Sequence, residues 1–390
     1  MKKICFVVDS IFSYGGVQRV TAVIAKELTK DYDVSIVTFD KPNEYGTDPY
    51  EIKDTNITYH YFEYPKIGKY KKKICRYYSG FYQRFQPQSK WSSDMYACSS
   101  FPSEQRNALL EELKRGKYDV IIGVHAPLTG RLATLKKHLP RTKCIGWLHN
   151  SYEALFGKDS HYYIGAHRKR HYVYQFRKLD NVILLCNHDA KSYYDYDPEF
   201  KPTVIYNPLT LMPGEISEGT SKRFLAVGRF SHKHKGFDLL IKAFNIFAKN
   251  NKEWHLDIVG EGPEEELYKE LIKDYELEEL VTIHPFTNNV QAFYSDSQVY
   301  VLSSRWEGFG LVLVEAMAHG LPVVSSDLPT SIEIMGDFGM YFKNGDIEDL
   351  ALRLEDATHI DWEAKSKEAL EIAKRFDIEN IISQWKKLIE

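Results

Sequence analysis

"RWEGFGLVLVEAMAHGLPVV", Arg305 to Val324, carries the pattern from which the fold can be read. After Gly310 it reads as a short helix, Leu311 to His319, closed by Gly320 just past its C-terminus and by Pro322 beyond. Pro322–Ser325 then reads as a strand apolar on both faces. The helix is apolar on nearly every side, so most of its surface should be buried. Glu315 nevertheless stands in its middle, and Glu307 precedes it in the loop, just before Gly308-Phe309-Gly310. An isolated ionised carboxylate in such a setting is costly unless it finds partners.

The same alternation of helix and continuous apolar strand extends in both directions. One series of strands comprises Ile4–Val8, Val34–Thr38, Val120–Ile122, Lys143–Trp147, Val182–Leu185 and Thr203–Ile205. A second comprises Phe224–Val227, His255–Val259, Val281–His284, Val299–Leu302 and Pro322–Ser325. Amphipathic stretches lie between them, among them Val17–Thr29, Phe237–Lys249, Glu264–Tyr275 and Asp346–Glu355. Continuous apolar strands separated by helices indicate parallel sheets covered on both faces. The expectation is α/β, with two doubly wound Rossmann-like domains facing each other across a cleft. "NPLTLMPGEISEGTSKR", Asn207 to Arg223, divides the two series. The expected organisation is therefore 1–206, a hinge at 207–221, a second domain at 222–376, and a helix at 377–390 packing back on the first domain.

Bulk properties agree with a multidomain protein of ordinary composition. The 390 residues are 43% hydrophobic and 14% aromatic, with a formal net charge of −3, which argues against a general polyanion binder. No apolar run reaches the ~18 residues of a membrane-spanning helix. The N-terminal apolar run ends at Asp9 and reads as a first strand rather than a signal peptide. Five scattered cysteines suggest a reduced, cytoplasmic setting, with neither a disulfide frame nor a metal-binding spacing.

Ligands of doubly wound sheets bind beyond the C-terminal strand ends, which directs attention to several stretches. If Glu315 faces the cleft, a ribose diol offers two donors to its two oxygens, and Glu307 lies further along the same ligand. The Gly308–Leu311 stretch allows close backbone approach and leaves free amides at a helix start, where an anion is favoured. The alternative is a core helix with Glu315 bonded to a neighbouring side chain. In "RFSHKHKG", Arg229 and Lys235 lie between a strand and the next helix, bracketed by Gly228 and Gly236. Fixed cations there would grip phosphate, although a solvated basic loop is the simpler account. His232 and His234 read as exposed loop residues. Gly15 and Gly16 allow a tight turn after the first strand without forming a GxGxxG fingerprint. His149 ends the strand "KCIGWLH", and Gly260 and Gly262 close another, where turn-making is a sufficient explanation.

Taken together, the Gly-Gly turn, "VGRF…KG", "VGEGP" and "EGFGLVLVE" make the chain similar to the retaining glycosyltransferases of family 4, with their GT-B architecture and Glu-x7-Glu motif. The resemblance implies sugar transfer from a nucleoside diphosphate sugar, of UDP rather than GDP type, needing neither metal nor cofactor. The acceptor would be a saccharide or a lipid-linked molecule in surface polysaccharide or glycolipid assembly. It assigns Glu307 to the donor sugar and the amides of Phe309, Gly310 and Leu311 to sugar and phosphate, with Gly308 also in the donor site. Glu315 takes the ribose, and Arg229 and Lys235 take the diphosphate. Gly15, Gly16, Gly228 and Gly260 line the donor site, Phe286 in "HPFTNN" lies by the base, and His149 lies near the sugar hydroxyls. Asn150 departs from the His-Asp of some relatives. The rival readings are a GT-B nucleotide-sugar epimerase and a non-catalytic partner that binds nucleotide sugar for another transferase.

Tyr64–Trp91 holds eight Lys/Arg and no acid among Tyr, Phe and Trp. This pattern suits an interfacial segment on an anionic bilayer, at the inner face of the plasma membrane. The alternative is a helix that buries its aromatics in the core. His167–Lys178 has a similar character. No nucleic-acid module accompanies either stretch, so nucleic acid is not expected as a partner.

Overall fold

A computed structural model of the chain describes residues 1–40, 48–87, 89–157, 164–211, 213–231 and 234–390, with backbone alone at 166 and 167. The chain forms two compact units, Met1–Tyr206 with Ile381–Glu390, and Asn207–Asn380.

The first unit runs β1 (Lys3–Val8), α1 (Gly16–Leu28), β2 (Asp33–Thr38), β3 (Thr58–Tyr61), α2 (Lys69–Phe85), α3 (Lys90–Ser100) and α4 (Ser103–Gly116). It continues β4 (Val120–Val124), α5 (Ala126–Leu135), β5 (Lys143–Trp147), α6 (Tyr152–Phe156), α7 (Ala166–Phe176), β6 (Asn181–Leu184), α8 (Asn187–Tyr196) and β7 (Thr203–Val204). The sheet order is β3-β2-β1-β4-β5-β6-β7, and every pairing is parallel. Strands such as "VIIGV" are buried at every position because helices cover both faces. Cys5, Val7, Ile121, Leu132, Cys144 and Leu184 belong to its core.

The second unit runs β8 (Arg223–Val227), α9 (Phe237–Phe247), β9 (His255–Val259), α10 (Glu265–Asp274), β10 (Val281–His284), α11 (Val290–Ser295) and β11 (Val299–Leu302). There follow α12 (Leu311–Ala318), β12 (Val323–Ser326), α13 (Pro329–Met335), β13 (Met340–Phe342), α14 (Ile347–Ala357) and α15 (Trp362–Ala373), and then α16 (Ile378–Ile389), only the first three residues of which belong to this unit. Its parallel sheet has the order β10-β9-β8-β11-β12-β13.

The proline- and glycine-rich stretch expected to be a hinge is attached to this second unit. Leu209 N–H donates to Phe376 O at 2.8 Å, and Ser217, 6% exposed, donates from its amide to His319 O. From Ile381 the last helix belongs to the first unit. There Trp385 packs edge-on against Trp147, with centroids 4.7 Å apart, and Lys386 pairs with Asp31.

Candidate functional site

In the second sheet the chain reverses direction of travel between neighbouring strands β8 and β11. Loops leaving such a pair diverge and open a crevice at the carboxyl ends. Lys235 ends the loop after β8, and Glu307 lies in the loop after β11. Lys235 Nζ donates to Glu307 Oε1 at 2.5 Å, and Ser304 Oγ donates to the same oxygen at 2.7 Å. The two ionic side chains are only 15% and 8% exposed. Burial pushes the Glu307 carboxyl up, but the Lys235 ammonium, His234 and the hydrogen bonds outweigh it and hold it below the ordinary carboxylate range.

Backbone approach explains the glycines around this pair. A Cβ on Gly260 would lie 1.9 Å from Gly228 O, so close strand-end packing, beyond turn-making, dictates glycine there. Gly236, at φ +66°, would place a Cβ 2.0 Å from Ser303 O. Ser303 Oγ donates to Lys235 O at 2.8 Å, and Arg305 N–H donates to His234 O at 2.8 Å, which ties the two loops together. Arg305 also forks onto Asp238 of α9 through two 2.8 Å bonds.

Sequence reading missed His234, which is no exposed loop residue. Its ring stacks on Trp306 with centroids 5.1 Å apart, and Nε2 lies 2.6 Å from Trp306 O. A carbonyl only accepts, so Nε2 carries the proton. The same nitrogen stands 4.0 Å from Glu307 Oε1. His232 lies outside the described residues. Arg229 is exposed and, among the described residues, its side chain enters no hydrogen bond or ion pair.

Gly308 and Phe309 lead into Gly310, whose φ of +84° starts α12 at Leu311 without a side-chain cap. No side chain therefore caps that first turn, in which the Leu313 amide donates to Gly310 O at 2.9 Å. Phe309 is buried edge-on against Phe376. Glu315, 2% exposed, is not partnerless: Tyr294 OH donates to its Oε2 at 3.2 Å. Tyr294 in turn stacks on His319, whose Nδ1 donates to the Glu315 carbonyl at 2.7 Å. Burial of this acid is thus explained within the protein and by itself argues for no ligand. Tyr294 escaped notice because it sits on a six-residue helix without periodicity. Phe286, just beyond β10, is 43% exposed.

The first sheet has its own reversal, between β1 and β4. Gly15 precedes α1, which starts at Gly16. The Tyr50 hydroxyl clamps Gly15, accepting from its amide at 2.8 Å and donating to its carbonyl at 2.9 Å. Asp9 and His125 follow β1 and β4, and neither was flagged from sequence. Burial pushes Asp9 up and His125 down, and each opposes the other's shift through its charge. His149, just past β5, is 8% exposed, and its Nε2 has no hydrogen-bond partner among the described residues. Burial, then His125, holds this imidazole well below its ordinary value, so it is neutral.

Comparison with known proteins accounts for both units. The chain matches the family model described as Glycosyltransferase Family 4 over residues 14–211, just over half its length, and that described as Glycosyl transferases group 1 over residues 211–375. It is 27% identical to an uncharacterized glycosyltransferase of Haemophilus influenzae, covering 100% of both chains. To the amylovoran biosynthesis glycosyltransferase AmsD of Erwinia amylovora it is 26% identical, over 87% of this chain and 85% of that one. The structure of Anabaena HepE in complex with UDP and glucose matches with a TM-score of 0.75 at 19% identity, covering 100% of this chain and 99% of that one. That likeness and the two Rossmann-like units establish the α/β GT-B fold. The chain belongs to glycosyltransferase family 4.

Proposed function

We propose that the chain moves a sugar from a UDP-sugar to a hydroxyl of a saccharide or lipid-linked acceptor, retaining the anomeric configuration and using no metal. The observation that carries this reading is the Lys235–Glu307 pair at the β8/β11 reversal. Without ligand each charge neutralises the other, since either alone would be expensive to bury. An arriving diphosphate competes for Lys235, recruits the exposed Arg229, and meets the uncapped start of α12. Glu307 then turns toward the sugar hydroxyls.

As the bond from the anomeric carbon to the diphosphate breaks, negative charge grows on the leaving oxygen, where fixed cations and amides lower the barrier. The acceptor oxygen bonds to that carbon, and its proton passes to the leaving diphosphate. Glu315 is assigned the ribose and Phe286 the base. His149, Gly15 and Gly16 are assigned their roles by family resemblance alone. The UDP preference is supported by HepE, whose structure holds UDP and glucose. A polysaccharide pathway is supported by AmsD and its part in amylovoran biosynthesis.

The test is a thermal-shift screen with UDP-, GDP- and ADP-sugars, followed by release of nucleoside diphosphate with and without acceptor. UDP-sugars should selectively raise the melting point, and product should require acceptor. Selective GDP binding overturns the donor assignment. Turnover without acceptor points to an epimerase or hydrolase.

A further inference from the structure

α2 turns its apolar side outward. Of its 17 residues only Tyr82 is buried, stacked on Tyr96 of α3 with centroids 4.3 Å apart. The alternative of a helix burying its aromatics in the core holds for Tyr82 but not for the outward side. Tyr70, Ile74, Tyr77, Phe81 and Phe85 are between 49% and 89% exposed. Their three- and four-residue spacing places them on one stripe. Helical geometry sets Lys69, Lys73, Arg76 and Arg84 along one flank of it. Lys73 reaches over the Tyr77 ring and Arg84 over the Phe85 ring, each at 5.9 Å from the centroid. Lys71, on the other side, is held by Ser103 and Glu104. No acid interrupts Tyr64–Trp91. The second basic stretch behaves differently, because His171, Val173, Gln175 and Phe176 of α7 are buried.

A contiguous exposed aromatic stripe indicates something that covers it, and charge selects what that is. A second copy of the chain would bring one basic flank against another, which electrostatics disfavours. A surface both anionic and apolar matches rings and cations together: rings enter the boundary of headgroup and acyl chain, while Lys and Arg meet lipid phosphates. Among the described residues no helix is long and apolar enough to cross a membrane, so such contact is peripheral.

We infer that α2 docks the protein on an anionic bilayer surface, with Tyr70, Ile74, Tyr77, Phe81 and Phe85 among the headgroups and the basic flank on the phosphates. The inference is independent of which sugar is transferred.

Flotation of the full chain with vesicles of phosphatidylcholine, alone or mixed with phosphatidylglycerol, tests it. Binding should require phosphatidylglycerol and weaken with salt. A Phe81→Ser/Phe85→Ser variant, changed only at exposed positions, should keep its circular dichroism and bind the mixed vesicles about tenfold or more weakly. Lys73→Glu/Arg84→Glu should lose a comparable amount. Equal binding to both vesicle types, or unchanged binding by the serine variant, overturns the assignment. A concentration-dependent dimer that the serine variant abolishes, seen by sedimentation velocity, assigns the stripe to a second copy instead.

Discussion

Lys235 and Glu307 are 72 residues apart in the chain and 2.5 Å apart in the fold, each at the mouth of one of two adjacent strands. Lys235→Ala therefore leaves a buried carboxylate without its counter-charge. Breaking such a pair costs about 3 kcal/mol, which urea denaturation would report. Adding Glu307→Gln removes the orphaned charge and should restore most of that stability. Transfer activity should stay lost in both variants. Near-normal stability of Lys235→Ala would mean that the pair does not hold the loops together, and near-normal transfer would remove Lys235 from the mechanism.

Arg229 provides the contrasting case. Its side chain is exposed and makes no ion pair among the described residues. Arg229→Ala should change stability by less than about 0.5 kcal/mol, yet lower turnover about a hundredfold if the cation meets the leaving diphosphate. Steady-state kinetics beside a denaturation curve separates these effects, and unchanged turnover dismisses the residue from the site.

Glu315 poses a question of partition. Tyr294→Phe removes the hydroxyl on Oε2 and should cost about 1–2 kcal/mol of stability, with UDP affinity nearly unchanged. Glu315→Gln keeps an oxygen acceptor for Tyr294 but loses the charge that a ribose diol prefers. UDP binding should weaken about tenfold, as expected when a charge-assisted bond is lost, measured by calorimetry. If Glu315→Gln binds UDP like the parent chain while losing stability, the acid is a core residue satisfied by Tyr294.

These cases show how far the sequence could be read. Continuous apolar strands such as "FLAV", Phe224–Val227, marked both sheets because a strand covered on two faces has few polar residues. β3 and β13 escaped because Thr58–Tyr61 and Met340–Phe342 are short edge strands with little buried face. Glu307 and Lys235 were each legible from glycine context, but their pairing follows from strand order, which local pattern does not encode. His234 was read as solvated because Lys and His surround it, whereas its environment comes from Trp306 in another loop. The outward face of α2 was undecidable for a related reason: amphipathic spacing shows that a stripe exists but not which way it turns.

Acid stability follows from the buried histidines. His125, His149, His171, His234 and His319 are all pushed below their ordinary values, with burial the largest cause in each, and His171 down to about 3. They are neutral in the fold, while an unfolded chain titrates near about 6.5. Above that pH neither state binds protons there. Below it the unfolded chain takes up protons that the fold refuses, so stability falls by up to about 1.4 kcal/mol per pH unit for each histidine. Asp189 opposes this, since burial raises it to about 7 and it takes up its proton in the fold well before the unfolded chain does as pH falls. Asp9 and Asp377, also raised by burial, act in the same opposing sense. Glu307, held low, stabilises the fold above the unfolded carboxylate range and loses that contribution only as pH falls through its folded value. From pH 7.5 to about 5.5 the histidines outnumber the opposing acids, and urea midpoints should decline. His171→Asn removes one proton site among Tyr82, Tyr96 and Ser93, remote in sequence from the β8/β11 loops. It should lessen the whole decline across this window by about 1.4 kcal/mol, whatever it costs at neutral pH. A midpoint that stays level across this range, or an unaltered slope in His171→Asn, would show that these rings are not neutral in the folded chain.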